Sequence, residues 1–268
     1  MSSEERVKIT VAEHVAHVRL ARPGKRNGLD LAMFEALVSV GERVAADRSV
    51  RAVVLSGEGD VFCAGLDWRA MLGGGPELAE RLLARGPSSP ANLAQRACWV
   101  WQEVPVPVIA AVHGVAFGGG LQLALAADLR FVTPDARLCV MEIRYGLVPD
   151  MSITQTLPRL VRADVAKDLV FTGREVRGEE AVSLGLATRV CAAPLEAAEV
   201  AARHMARQAP SAIRACKKLL NAAPHLEPAA SFQLETALQL PLLGSPEQLE
   251  AVQAVMQGRE PSFADPAP

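Results

Sequence analysis

Three consecutive glycines, Gly118 to Gly120, and the side chains spaced around them are where this sequence of 268 residues is best equipped for chemistry. A short apolar run, Val108-Ile-Ala-Ala-Val112, leads towards them, and a run of good helix formers, Leu121-Gln-Leu-Ala-Leu-Ala-Ala, follows. Glycine lets a chain turn sharply with no Cβ to hold off a ligand or another backbone. A helix starting there would aim free N–H groups, and the positive end of its dipole, at whatever lies over the glycines. Such a place can bind an anion or stabilise one formed during a reaction. Close packing of helix on sheet is the competing reading. The turn is not a phosphate-binding P-loop, since no Lys-Ser or Lys-Thr follows, and the Gly-x-Gly-x-x-Gly spacing of a dinucleotide site is absent. A second glycine-bearing turn, Gly57-Glu-Gly-Asp-Val-Phe-Cys-Ala-Gly-Leu-Asp67, ends another apolar run and again presents backbone N–H groups.

The titratable groups near these turns are few. Glu142 lies between apolar Met141 and Ile143, where burial would raise its pKa and make it a better base near neutrality; a structural salt bridge is the alternative. Asp150 follows eight residues later, after Pro149, as a reactive carboxylate or as the N-cap of a helix beginning near residue 152. Gln122 cannot take up or release a proton at ordinary pH, although it can orient a water or a substrate group. The five cysteines and five histidines lack metal-ligand or C-x-x-C spacing, so the cysteines read as reduced core residues and no metal site is expected.

The elements that must carry these groups alternate strand and helix. Val7–Val11 and His14–Leu20 read as two strands joined by a short turn, and a basic loop, Arg22-Pro-Gly-Lys-Arg-Asn27, follows. A helix from about Asp30, a plausible N-cap, shows Phe34, Leu37, Val40 and Val44 on one face. Arg51–Ser56 is a buried strand, residues 72–92 a mobile flap with a helical piece at Glu77–Leu83, and Asn92–Glu103 a helix. Leu129–Val132 and Arg137–Glu142 read as strands, and residues 163–190 alternate helix and turn. From Leu195 the pattern is almost wholly helical, which puts a boundary near residue 205: an α/β core over 1–205 and a helical C-terminal region over 206–268.

Composition narrows the possibilities. A formal net charge of −2 lacks the basic stripe expected of a nucleic-acid binder. No apolar run approaches the roughly 18 to 20 residues that span a bilayer, so no membrane partner is expected. The polar start, Met-Ser-Ser-Glu-Glu-Arg-Val, does not read as a secretory signal, and the expected location is the cytoplasm.

In this order and spacing, the loop at 22–27, the turn at 57–67, His113–Gln122, Glu142–Asp150, Leu157-Pro-Arg-Leu-Val161 and Phe171-Thr-Gly173 with Glu180–Gly185 resemble the enoyl-CoA hydratase/isomerase (crotonase) superfamily over nearly the whole chain. The resemblance implies an α/β fold of repeated ββα units with a C-terminal helical trimerisation region, and a homotrimer or dimer of trimers. It implies a coenzyme A thioester as substrate and no separate cofactor. It also implies that the backbone N–H groups of Leu66 and Gly119 bind the thioester carbonyl. Lys25 and Arg26 stand where relatives approach the phosphates of coenzyme A, with a solvated basic loop as the alternative; Lys217 and Lys218 are weaker candidates for the same task. Ala64, Asp67 and Trp68 border the expected substrate site, although Asp67 reads better as fixing its own turn. Trp68, Trp99 and Trp101 could line an acyl pocket or simply pack.

Hydratases resembling the type members carry two glutamates, at the positions of Gln122 and Glu142. Relatives that isomerise dienoyl-CoA carry a carboxylate at the position of Asp150. With Gln122 in place of one acid, the expected reaction is double-bond isomerisation of an enoyl- or dienoyl-CoA, because one base can remove a proton and return it at another carbon. Hydration is the alternative, and a non-catalytic acyl-CoA binder is the rival from another class.

Overall fold

A computed structural model describes residues 5–85 and 89–265. Nine strands form two sheets among the described residues: β1 (Val7–Ala12), β2 (Val15–Leu20), β3 (Ala52–Gly57), β4 (Val108–Val112), β5 (Val115–Phe117), β6 (Leu129–Val132), β7 (Arg137–Cys139), β8 (Glu175–Arg177) and β9 (Arg189–Val190). The larger sheet has the order β1-β2-β3-β4-β6-β9, parallel except for the β1–β2 hairpin, and the smaller has the order β5-β7-β8. The helices are α1 (Leu31–Ala46), α2 (Trp68–Gly73), α3 (Gly75–Leu83), α4 (Leu93–Glu103), α5 (Gly119–Leu125), α6 (Ile153–Leu160), α7 (Ala163–Thr172), α8 (Gly178–Leu184), α9 (Pro194–Ala206), α10 (Pro210–Ala222), α11 (Pro228–Gln239) and α12 (Pro246–Gln257).

Strand periodicity sorts the large sheet's side chains between two cores. Ala16, Val18, Leu20, Val53, Leu55, Val108, Ala110 and Val112 join Phe34 and Leu37 of α1 in the main core. Their neighbours Val15, Ala52, Val54, Ile109 and Ala111 pack on the other face against Ala198, Ala202 and Ala206 of α9, whose alanines let that helix lie close. Both faces are covered, as near-continuous apolar strands of a parallel sheet require. Asp30 caps α1 by accepting from the Met33 N–H, and Asn92 and Gln95 form a capping box on α4.

Several expectations need correction. The strand read as reaching Glu142 stops at Cys139, and Glu142 opens a short 3₁₀ turn, Glu142–Tyr145. Within the stretch at 72–92 the helical piece expected at Glu77–Leu83 falls in α3, which starts earlier, at Gly75, while positions 86–88 lie outside the described residues. Cys216 is exposed rather than buried in the core. The boundary expected near residue 205 falls at the end of α9, and α10 is still anchored to the core. Its Lys217 is buried, donating to the Trp101 and Val106 carbonyls and pairing with Asp128 at 2.7 Å. That side chain is therefore spent inside the protein and cannot reach a phosphate.

Candidate active site

The two glycine turns meet because backbone hydrogen bonds stitch them together. Phe62 N–H donates to the His113 carbonyl, Cys63 N–H to Val115, and Phe117 N–H back to Cys63. On the other side Leu29 bridges the turn, its N–H donating to Gly65 and its carbonyl accepting from Asp67. Gly65, at φ +87°, is packed so closely that a Cβ on it would lie 2.7 Å from the Phe117 oxygen. Gly118 takes φ 51° and ψ −121°, a backbone setting that glycine alone adopts easily, and gives its N–H to the Cys139 carbonyl. The N–H groups of Leu66 and Gly119 find no acceptor among the described residues. Both belong to the wall of one cavity of about 70 Å³, which Ala64, Trp68, Met141, Glu142, Tyr145 and Leu147 also line.

Asn27 holds the first basic loop against the second turn. Fully buried, it donates from Nδ2 towards the carbonyls of Glu58, Val61 and Phe62, and its Oδ1 accepts from the Arg22 N–H. Arg22 in turn pairs with Asp67 at 2.8 Å and with Asp30 at 3.3 Å. Asp67 also caps α2 by accepting from the Ala70 N–H, and these contacts hold its pKa below the ordinary aspartate value against an opposing burial penalty. Its turn-fixing role is thus visible in its partners. Ala64 gives its N–H to the Arg26 carbonyl, so Arg26 meets the site through its backbone, while Lys25 is exposed beside a separate surface hollow with Arg22 and Glu58.

Glu142 is 9% exposed, and burial raises its pKa above the ordinary glutamate value; the nearby Asp150 charge pushes in the same direction, while its own backbone N–H and the Gln122 amide oppose. No cation pairs with it among the described residues, which removes the salt-bridge reading. Its Oε1 accepts from Gln122 Nε2 at 2.7 Å, and its Oε2 is buried with no partner among the described residues. Gln122, 1% exposed, accepts at Oε1 from the Met151 N–H at 2.8 Å. Asp150 does not cap the helix that follows: α6 starts at Ile153 with Ser152 in the capping position, and the Ser152 hydroxyl donates to the Gln95 carbonyl. Asp150 is exposed as a residue, yet partial burial of its carboxyl still raises its pKa.

Trp68 and Tyr145 form an aromatic wall, their ring centres 4.6 Å apart. Tyr145 and Leu147 are not singled out by the sequence; their place just after Glu142 is the signal that could have found them. Trp101 is fully buried, its indole N–H donating to the Ala97 carbonyl, so it is core. Burial pushes the Cys63 thiol up to about 12, which leaves it a neutral packing group.

A carboxylate with one free oxygen, beside two free backbone N–H groups from separate glycine turns, has the makings of proton abstraction next to a carbonyl. The sequence profile of the enoyl-CoA hydratase/isomerase family matches residues 10–266. The chain belongs to that family, the crotonase superfamily. It is 31% identical over 271 residues to the mitochondrial Δ(3,5)-Δ(2,4)-dienoyl-CoA isomerase of Mus musculus, covering 96% of this chain and 81% of that protein. To an enoyl-CoA isomerase/hydratase of Mycosarcoma maydis it is 30% identical over 260 residues, covering 93% and 92% of the two chains. The crystal structure of an enoyl-CoA hydratase from Bacillus anthracis superposes with a TM-score of 0.90 at 29% identity, covering 97% of this chain and 100% of that one. The mixed α/β fold is thus the crotonase fold. Among the described residues, no helix is long and apolar enough to cross a membrane.

Proposed function

We propose that this enoyl-CoA hydratase/isomerase family enzyme moves a double bond in an enoyl- or dienoyl-CoA thioester, with Glu142 as the proton shuttle. The observation that carries the reading is the state of Glu142: one oxygen is tied to an amide and the other is free, in a site where Gln122 supplies no second acid. Glu142 takes a proton from the carbon beside the thioester carbonyl. The electron pair moves into the conjugated system and places negative charge on the carbonyl oxygen, which the Leu66 and Gly119 N–H groups hold. Donors fixed in advance for such an oxygen are worth about 3 kcal/mol each. The proton returns at the γ-carbon of a 3-enoyl chain, or at the ε-carbon of a 3,5-dienoyl chain, where the second carboxylate, Asp150, extends the reach. Nothing is gained or lost from the substrate, and no separate cofactor is called for.

Hydration is the second reading, supported by the hydratase structure that shares the fold at 29% identity. A panel of 2-enoyl-, 3-enoyl- and 3,5-dienoyl-CoA thioesters, followed by absorbance and product mass, separates the two. Isomerisation conserves mass while conjugation changes; gain of one water on a 2-enoyl-CoA as the main product overturns the proposal. Binding of these thioesters without turnover of any would instead mark a non-catalytic binder. We further propose that the C-terminal helices form the homotrimer or trimer-dimer contact, supported by exposed Phe232 on α11 and by Val255 and Met256 on α12, each 82% exposed.

A further inference from the structure

Gln122 holds both ends of the segment that carries the two carboxylates. Its amide oxygen accepts from the Met151 N–H, the peptide nitrogen that follows Asp150, and its amide nitrogen donates to Glu142. The orientation of that amide is not free. Met151 N–H can only donate, so the atom 2.8 Å from it must be the oxygen, and the atom 2.7 Å from Glu142 must be the nitrogen. An amide nitrogen can only donate in its turn, so Glu142 Oε1 is held as an acceptor whether or not the carboxyl is ionised.

We infer that Gln122 is a positioning residue which confines the proton of Glu142 to Oε2 and fixes Glu142 relative to Asp150. The carboxyl is thereby a one-oxygen base: Oε1 is reserved for the clamp, and Oε2, buried and without a partner among the described residues, is the atom that exchanges protons. The position of Gly118 fits this arrangement, since a Cβ there would lie 3.2 Å from Oε1 and crowd the clamped side of the carboxyl. Replacing the glutamine by a second acid would change the logic. A carboxylate at 122 would still accept from Met151, but it could face Glu142 Oε1 only by sharing a proton with it, and the pair would titrate in two coupled steps.

The inference rests on Glu142 being the reactive group of the proposed function, so the experiment reads the carboxyl itself as well as turnover. Other titratable groups that feel Glu142 are Asp150 from the following loop, Cys98 from α4 and Cys139 from β7. The two thiols stay neutral, their pKa values raised by burial, so Asp150 is the one to control. Proteins labelled with ¹³C at the glutamate side-chain carboxyl would be titrated by NMR, with the Glu142 signal assigned by Glu142→Gln. In Gln122→Met, similar in size but without either hydrogen bond, the Glu142 pKa should rise by about one pH unit, because the ionised form loses a charge-assisted donor. In Gln122→Glu the same signal should titrate in two steps. The acid limb of kcat/KM should follow the carboxyl in each case, with kcat falling more than KM changes. An unchanged Glu142 titration in folded Gln122→Met protein overturns the inference, whatever the substrate panel shows. A shifted titration in an enzyme that proves to be a hydratase keeps the inference and rejects the isomerase reading. Should Gln122→Met fail to fold, a single unshifted titration step in Gln122→Glu overturns it equally.

Discussion

Gly65 sits so near the turn of Gly118 to Gly120 that a Cβ on it would lie 3.8 Å from the Gly119 nitrogen and 2.7 Å from the Phe117 oxygen. The two turns that carry the free N–H groups are thus in contact, and glycine is what lets them touch. At φ +87° an alanine there is strained by its own backbone as well as by the clash. Gly65→Ala should displace the Leu66 N–H and lower kcat by about 10²-fold or more, the cost of losing one such donor. Steady-state kinetics beside a thermal melt checks this; normal turnover in folded protein would show that the turn does not hold the reacting oxygen.

The pH dependence follows from the two raised carboxyls. Glu142 must be ionised to accept a proton, and burial holds its pKa above the ordinary glutamate value, so kcat/KM should climb with pH through that raised value. Asp150 adds to the rise as a like charge. Removing that charge in Asp150→Asn should move the acid limb to lower pH. A pH–rate profile of the variant decides the matter, and an acid limb that stays in place or moves up would contradict the coupling.

Asn27 tests the support beneath the site. Its amide serves three carbonyls of the second turn and the Arg22 N–H, the contacts to Val61 and Phe62 fully buried and the other two partly so. Asn27→Ala leaves those groups without partners and puts alanine at φ 54°, and should cost about 3 kcal/mol or more of stability. Urea unfolding measures it; a loss under about 1 kcal/mol would mean that water replaces the amide.

Local chemistry made much of this fold legible. Asp30 and Asn92 announce their helices because a cap depends on neighbours three residues away, and β3 and β4 show their burial in apolar runs while β2 alternates. The glycine turns were also readable, since few other reasons exist for three glycines before a helix-forming run. What escaped were relationships across long sequence distances. Gln122 looks like a missing acid until Met151, in the loop before α6, fixes its amide. Lys217 looks like a phosphate ligand because a lysine on a helix gives no sign that a half-buried Asp128, far away in sequence, will pair with it. Asp150 reads equally well as a cap because Ser152, two residues on, takes that position while its hydroxyl bonds to Gln95, a contact far away in sequence.

The proton shuttle is tested most directly by comparing Glu142→Gln with Asp150→Asn on whichever thioester the panel identifies. Glutamine keeps the size of Glu142 and can still bond to Gln122, but it cannot accept a proton. Positioned acid–base catalysis is worth about 10² to 10⁴-fold, so Glu142→Gln should lose at least about 10²-fold in kcat while thioester affinity stays near that of the parent. Near-normal turnover in Glu142→Gln, with Asp150→Asn inactive, would make Asp150 the base and contradict the assignment.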